Sequence, residues 1–237
     1  MAGFLYLNPF DSSISSGWQW SELTLIRMGV IVPIGITGLI FHSPPTLQYT
    51  GCLMHDERSS MKPIIITGGP GAGKTTLLNA LGNKGYLVFP EVSRTLIQQQ
   101  AALTNGVLPW TNLPAFAELC LEMMAEQRRF AEKGTMPAFV DRAVPDICAY
   151  LTIGGEPVSQ PYIDASSGYA KQVFFCAPHD TTYSQDEERP HSFAEAQAIH
   201  EQLITTYESL GYEVMTVPWG NIEERASWVL ARMSLKT

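Results

Sequence analysis

Residues 64–75 read Ile-Ile-Ile-Thr-Gly-Gly-Pro-Gly-Ala-Gly-Lys-Thr, a β-branched run that breaks into glycines and ends on a lysine and a threonine. From Gly68 to Thr75 the segment fits G-x-x-x-x-G-K-[ST], a string expected by chance in roughly one chain of this length per hundred. The context it demands, a strand before and a helix after, is also present. Glycines let successive backbone N–H groups point at one centre with no Cβ in the way. The helix N-terminus that follows adds partial positive charge. Lys74 is then placed to reach the β- and γ-phosphates of a nucleotide, and the Thr75 hydroxyl to ligate Mg²⁺. Gly68, Gly69, Pro70, Gly71, Ala72, Gly73, Lys74, Thr75 and Thr76 form the expected phosphate-binding set. A ligand-free glycine turn would explain neither Lys74 nor Thr75.

Outward from this loop, strands and helices alternate. Lys62–Thr67, Tyr86–Pro90, Pro137–Asp141, Gln172–Cys176 and Tyr212–Val217 read as short apolar strands suited to burial on both faces. Helices are expected over Lys74–Asn83, Glu91–Leu103, Leu113–Lys133, Val144–Ile153, Phe193–Leu210 and Asn221–Leu235. Gly211 is a good stop for the fifth of these, and Asn221 with Glu224 three residues on marks the start of the sixth. Within Leu113–Lys133 the stripe Phe116, Leu119, Cys120, Met123, Met124 and Phe130 has helical spacing and reads as core rather than as a substrate box. Five strands alternating with helices imply an α/β fold with a mostly parallel sheet. Pro178–Ser192 is polar and irregular, and a loop of that length in a compact domain is usually functional.

The whole chain has 237 residues, a formal charge of −8 and 45% hydrophobic residues, the composition of a globular protein. That charge argues against general affinity for nucleic-acid backbones or anionic lipid. Cys52, Cys120, Cys148 and Cys176 lack CxxC or metal-ligand spacing and read as buried small residues in a reducing, cytoplasmic compartment. Residues 1–60 are different in kind. Their two arginines and four carboxylates leave −6 of the charge to residues 61–237, the expected nucleotide-binding domain. Met28–Phe41 carries no charge, yet it is shorter than the about 20 apolar residues of a membrane span and is broken by Pro33, Gly35 and Gly38. A secretory signal is a poor match, because Asp11 and Glu22 precede the single Arg27. Three readings of this extension stand: a start-site extension before Met61, a membrane-associating segment, or a packed N-terminal arm.

Other residues gain meaning beside the phosphate loop. Asp141 ends an apolar strand, where a second Mg²⁺-orienting carboxylate belongs; otherwise it is a cap aspartate. Arg142 either neutralises a phosphate or pairs with a carboxylate. Glu91 and Arg94 are either the base and anion clamp of an acceptor pocket or an i,i+3 surface pair. Arg189 sits among Asp186, Glu187 and Glu188, as a lid arginine folding over phosphates or as one charge in a solvated run. His179, His191 and His200 form no ligand set.

The stretches IIITGGPGAGKTTLL, YLVFPEVSR, FVDRAVPD, the DEER loop and VPWGNIEERASWVL together resemble a family of small P-loop proteins, over Met61 to about Met233. Its relatives include the nicotinamide-riboside kinase domain of the bifunctional bacterial NAD-biosynthesis regulator. The resemblance implies a kinase-like P-loop NTPase with strand order 2-3-1-4-5, a lid, and Mg·ATP as ligand. It implies that Glu91 and Arg94 line the acceptor site, Asp141 serves the metal, Arg142 and Arg189 touch phosphates, and Pro218–Asn221 lies near the adenine. The expected function is ATP-dependent phosphoryl transfer to a small hydroxyl-bearing metabolite such as a nucleoside. Glu91 is the expected base and Asp141 the second choice, with Lys74, Arg142 and Arg189 around the developing charge. The alternative is a regulatory ATPase with water as its acceptor. Neither nucleic acid nor a membrane is an expected partner of the domain, and no protein partner can be named from the sequence.

Overall fold

A computed structural model describes residues 61–180 and 192–233. The expected strands form as β1 (Ile64–Gly68), β2 (Leu87–Phe89), β3 (Ala138–Asp141), β4 (Gln172–Cys176) and β5 (Glu213–Val217). They make one parallel sheet in the order β2-β3-β1-β4-β5, the order that the resemblance implies. Central β1 is buried along its whole length, so its consecutive isoleucines serve two cores rather than one. Side chains of a strand alternate between faces. Ile64 and Ile66 pack with Phe139 and Phe174 on one side, whereas Ile65 packs with Val140, Val173 and Phe175 on the other.

Helices α1 (Lys74–Asn83), α2 (Val92–Ala101), α3 (Leu113–Glu132), α4 (Val144–Ile153), α5 (Gln160–Ala165), α6 (Phe193–Ser209) and α7 (Ile222–Met233) cover the sheet among the described residues. Leu77, Leu78 and Leu81 of α1 and Ala226 and Val229 of α7 close the first face. Ile199, Leu203 and Tyr207 of α6, with Ala131 and Ala149, close the second. Full burial of each leucine, isoleucine or valine among these contributes roughly 1.5–3 kcal/mol. The stripe on α3 is core, with Phe116, Cys120 and Met124 buried against Val92, Leu96, Val144 and Ile147. Cys148 and Cys176 are buried and free as well.

The helix ends follow local chemistry. Asn112 Oδ1 accepts from Ala115 N at 3.1 Å, Ser192 and Glu195 form a capping box, and Asn221 Oδ1 accepts from Glu224 N at 2.9 Å. Beyond α6 the chain reverses at Gly211, whose N–H donates to Glu208 O at 2.9 Å. Helix α2 begins and ends inside the span Glu91–Leu103, with Glu91 at its N-cap position. The six-residue α5 has no periodic apolar signal in the sequence; Pro161 in its first turn and the Ser166 hydroxyl on Tyr162 O hold it. Residues 1–60 and most of the loop expected as a lid, including Arg189, lie outside the described residues. No helix among those described is long and apolar enough to cross a membrane.

Candidate active site

The phosphate loop leaves β1 at its C-terminal edge and runs into α1. Gly68 has φ +133°, and a Cβ there would stand 2.0 Å from Cys176 O, so no side chain fits between β1 and β4. Gly73, the N-cap of α1, is left-handed at φ +73°. Lys74 turns onto its own loop and donates to Gly69 O at 2.9 Å and Gly68 O at 3.2 Å. Burial lowers its pKa, as does Arg142, against the opposing pull of Asp141 and Glu91. Gly69 N–H donates to His200 Nδ1 of α6 at 3.2 Å, a brace that sequence reasoning missed. Burial, then Lys74, lower the His200 pKa, which keeps the ring a neutral acceptor.

Asp141 closes β3, paired in register with Ile66 of β1, which places its carboxylate beside the first turn of α1. Thr75 Oγ1 donates to Asp141 Oδ2 at 3.4 Å, while Asp141 Oδ1 is buried with no partner. Burial pushes the Asp141 carboxyl up to about 6, with Glu91 and Asp146 adding to the push. A buried orphan carboxylate oxygen beside a threonine hydroxyl is hard-oxygen chemistry suited to Mg²⁺, which takes few protein ligands when it arrives on phosphates. No group of three or more His, Cys, Asp or Glu side chains among the described residues could cage a metal by itself.

Arg142 has φ +65°, unusual for a non-glycine residue, and its N–H donates to Ile66 O at 3.0 Å. That turn drives the guanidinium inward, where Nε meets Glu91 Oε1 at 3.1 Å and Nη1 meets Asp146 Oδ1 at 2.9 Å. Of the two sequence readings, carboxylate pairing is what the geometry contains. Glu91 in turn is held by cations. Burial alone would raise its pKa, but Arg142, then Lys74 and Arg94, outweigh burial and lower it. Arg94, half exposed, stands 3.9 Å from Glu91 Oε2 at the pocket mouth.

Asp146 escaped the sequence reading. It is fully buried and accepts from Thr67 Oγ1 at 2.5 Å, Tyr207 Oη at 2.5 Å, Ala143 N at 2.9 Å and Arg142 Nη1. The network ties β1, α4 and α6 to the arginine that holds Glu91. Its one sequence signal was an aspartate at the third helical position after Ala143, where an N-terminal acid is unremarkable.

Thr75, Asp141, Glu91 and Arg94 line one cavity of ≈ 320 Å³, together with Asn79, Thr95 and Gln98 over a floor that includes Leu78, Val88 and Phe89. Lys74 and Arg142 are buried beside these groups. A second hollow, of ≈ 490 Å³ and more open, lies along α3 and α5 and includes none of these residues. Past β5, Trp219 stacks on His179 with centroids 4.2 Å apart and planes 14° off parallel.

A family model described as an AAA domain matches residues 63–225. Among curated proteins no match was found. Of solved structures, the NadR protein in complex with NR is similar, with a TM-score of 0.57 at 12% identity, over 74% of this chain and 51% of that one. Shikimate kinase from Acinetobacter baumannii in complex with shikimate is similar with a TM-score of 0.50 at 14% identity, over 75% of this chain and 96% of the other. At these identities the likeness is one of fold. It bears out the kinase-like P-loop architecture read from the sequence.

Proposed function

We propose that this chain, which belongs to the AAA domain family matched at residues 63–225, is an ATP-dependent phosphotransferase whose acceptor is the hydroxyl of a small metabolite such as a nucleoside. The observation that carries this reading is the cavity bounded at once by Thr75, Asp141, Glu91 and Arg94. A phosphate held by the loop and a small molecule in that cavity would meet over Glu91 and Asp141. An NTPase using water alone needs no such chamber.

In the proposed reaction the acceptor oxygen attacks the γ-phosphorus as the bond to the β–γ bridging oxygen breaks. The acceptor's proton passes to a carboxylate, and ADP keeps the electron pair of the broken bond. Lys74 would exchange its two backbone carbonyls for β- and γ-phosphate oxygens. Glu91, kept ionised by Arg142, would orient the acceptor hydroxyl and take its proton late. Phosphoryl transfer is mostly loose in its transition state, so positioning matters more than a strong base. Asp141, nearer neutrality, is the second choice for that proton. Arg142 would serve through Glu91 as well as through its charge, and Arg94 would clamp the acceptor. Mg²⁺ bound with ATP would neutralise charge on the phosphates, held by Thr75 and Asp141. Arg189 from the lid and Pro218–Asn221 beside the base complete the proposed site.

We further propose that residues 61–237 form the working domain and residues 1–60 an extension to it. The function is tested by following ADP release from ATP with pools of nucleosides, vitamins and sugars. A rise of about tenfold or more over the acceptor-free rate is expected for one pool, since positioned transfer outruns hydrolysis. Equal release with every pool would leave water as the acceptor and favour the regulatory ATPase.

A further inference from the structure

Arg225 in α7 is only 6% exposed, yet among the described residues it makes no ion pair with a carboxylate. Its Nη2 donates to Ala72 O of the phosphate loop at 3.3 Å. Its Nη1 stands 3.0 Å from where a Cβ on Gly73 would lie, and its Nε is buried with no acceptor. The Trp219 ring centroid is 6.0 Å from the guanidinium carbon, and the Cys176 thiol, which the guanidinium hydrogen-bonds, is kept protonated by burial against the pull of Arg225. A guanidinium buried among neutral groups is a costly arrangement unless an anion completes it.

We propose that Arg225 is a positioning residue of the phosphate loop and a source of nucleotide affinity, an inference that rests on reading this loop as a nucleotide site. The two ends of a trans peptide point in opposite directions. By holding Ala72 O toward α7, Arg225 turns the other end of that peptide, Gly73 N–H, toward the phosphates. Polyphosphate bound across the loop then supplies the counter-charge that the described residues lack around this guanidinium. The C-terminal helix thereby becomes part of the nucleotide site, although it contributes nothing to the G-x-x-x-x-G-K-[ST] string.

The test compares the full chain with Arg225→Met and Arg225→Lys. Calorimetry gives the Kd for Mg·ATP and for pyrophosphate, and a melting curve gives the midpoint without ligand. Arg225→Met should weaken both ligands by about 10- to 100-fold, the usual size of a lost charge-assisted contact, while Arg225→Lys recovers part of it. Without ligand, the methionine variant should melt at or above the wild-type midpoint, because an uncompensated buried charge has gone. Binding within twofold of wild type overturns the inference. So does a lowered ligand-free midpoint, the mark of a merely structural arginine. If the wild-type chain binds no ATP, the reading of the loop fails and takes this inference with it.

Discussion

Replacing Asp146 by asparagine keeps the shape of the side chain and removes one acceptor oxygen and the charge. In the native chain one carboxylate oxygen serves Thr67 Oγ1 and Arg142 Nη1, and the other serves Ala143 N and Tyr207 Oη. The amide will turn its oxygen to the Arg142 side, since its NH₂ cannot face a guanidinium. Tyr207 can rotate its hydroxyl and accept instead, but Ala143 N–H is left facing a donor. That orphaned amide costs roughly 1–3 kcal/mol. Loss of the charge opposite buried Arg142 costs roughly 3–5 kcal/mol in a lone pair. Here Glu91 remains as a second partner and halves it, so the total is about 3–5 kcal/mol. With a urea slope of about 2 kcal/mol per M, the midpoint should fall by about 2 M, measured by circular dichroism. Tyr207→Phe removes one donor of four and should cost only about 1–2 kcal/mol. Adding Arg142→Met to Asp146→Asn should deepen the loss rather than restore it, because Glu91 then loses the cation that holds it. A cost below about 1 kcal/mol for Asp146→Asn, or an equal cost for Tyr207→Phe, would refute the account of this network.

Lys74→Ala should leave the melting midpoint near wild type, abolish phosphoryl transfer and weaken ATP binding; near-normal turnover sinks the function proposed for the loop. Glu91→Gln should spare ATP affinity and lower acceptor phosphorylation by about 10²-fold, a usual general-base contribution; a loss of ATP affinity would move Glu91 to the nucleotide side. Asp141 has a folded-state pKa of about 6 against 3.8 for the free group, so the folded chain holds its proton more tightly and loses stability as pH rises through that interval. Asp141→Asn should therefore stabilise the ligand-free protein by about 3 kcal/mol at pH 7 and leave it unchanged near pH 3; urea melts with the same gap at both pH values would contradict the shift. A shortened chain beginning at Met61 should fold and bind ATP as the full chain does, and aggregation of the short form alone would make residues 1–60 structural.

The sheet was legible because its strands are short apolar runs and a glycine-rich turn into a helix marks the end of the first. Helix boundaries were legible wherever a cap states them, at Asn221 and Gly211, and blurred where Glu91 fills an N-cap position without a side-chain cap. Thr75 and Asp141 could be paired from the motif and a strand end alone. Asp146, His200 and Arg225 could not. Asp146 meets its partners across 79 and 61 residues of chain, His200 reaches Gly69 across 131, and Arg225 reaches Ala72 across 153. Their identities follow no local rule, because each answers a backbone or hydroxyl group that the fold brings to it from another element. Arg142 was the intermediate case. Its place after a strand was evident, but the choice between phosphate and carboxylate rested on Glu91 and Asp146 reaching it from two helices.

The charges around the phosphate loop suggest how nucleotide and protein complete each other. Lys74, Arg142 and Arg94 face Asp141, Glu91 and Asp146, three cations against three carboxylates. Such a set is balanced within itself, and Lys74 rests on the carbonyls of Gly68 and Gly69. It is also poorly suited to an anion as it stands, since Mg·ATP, the ligand proposed above, would bring excess negative charge into a site that already holds carboxylates. Two features shift the balance. Asp141, with its pKa near neutrality, is readily neutralised by a cation at its orphan oxygen, and Arg225 adds a positive charge that no described carboxylate offsets. Asp141 and Glu91 line the cavity beside the loop, where, under the proposed function, an acceptor hydroxyl would give up its proton. Arg225 reaches the loop from α7, through Ala72. On this argument the division between proton acceptance and phosphate binding is built into which helix supplies each charge. Moving positive charge to the cavity side, as with Gln98→Lys, should tighten ATP while lowering acceptor turnover; parallel loss of both would show that the two sides are not separate.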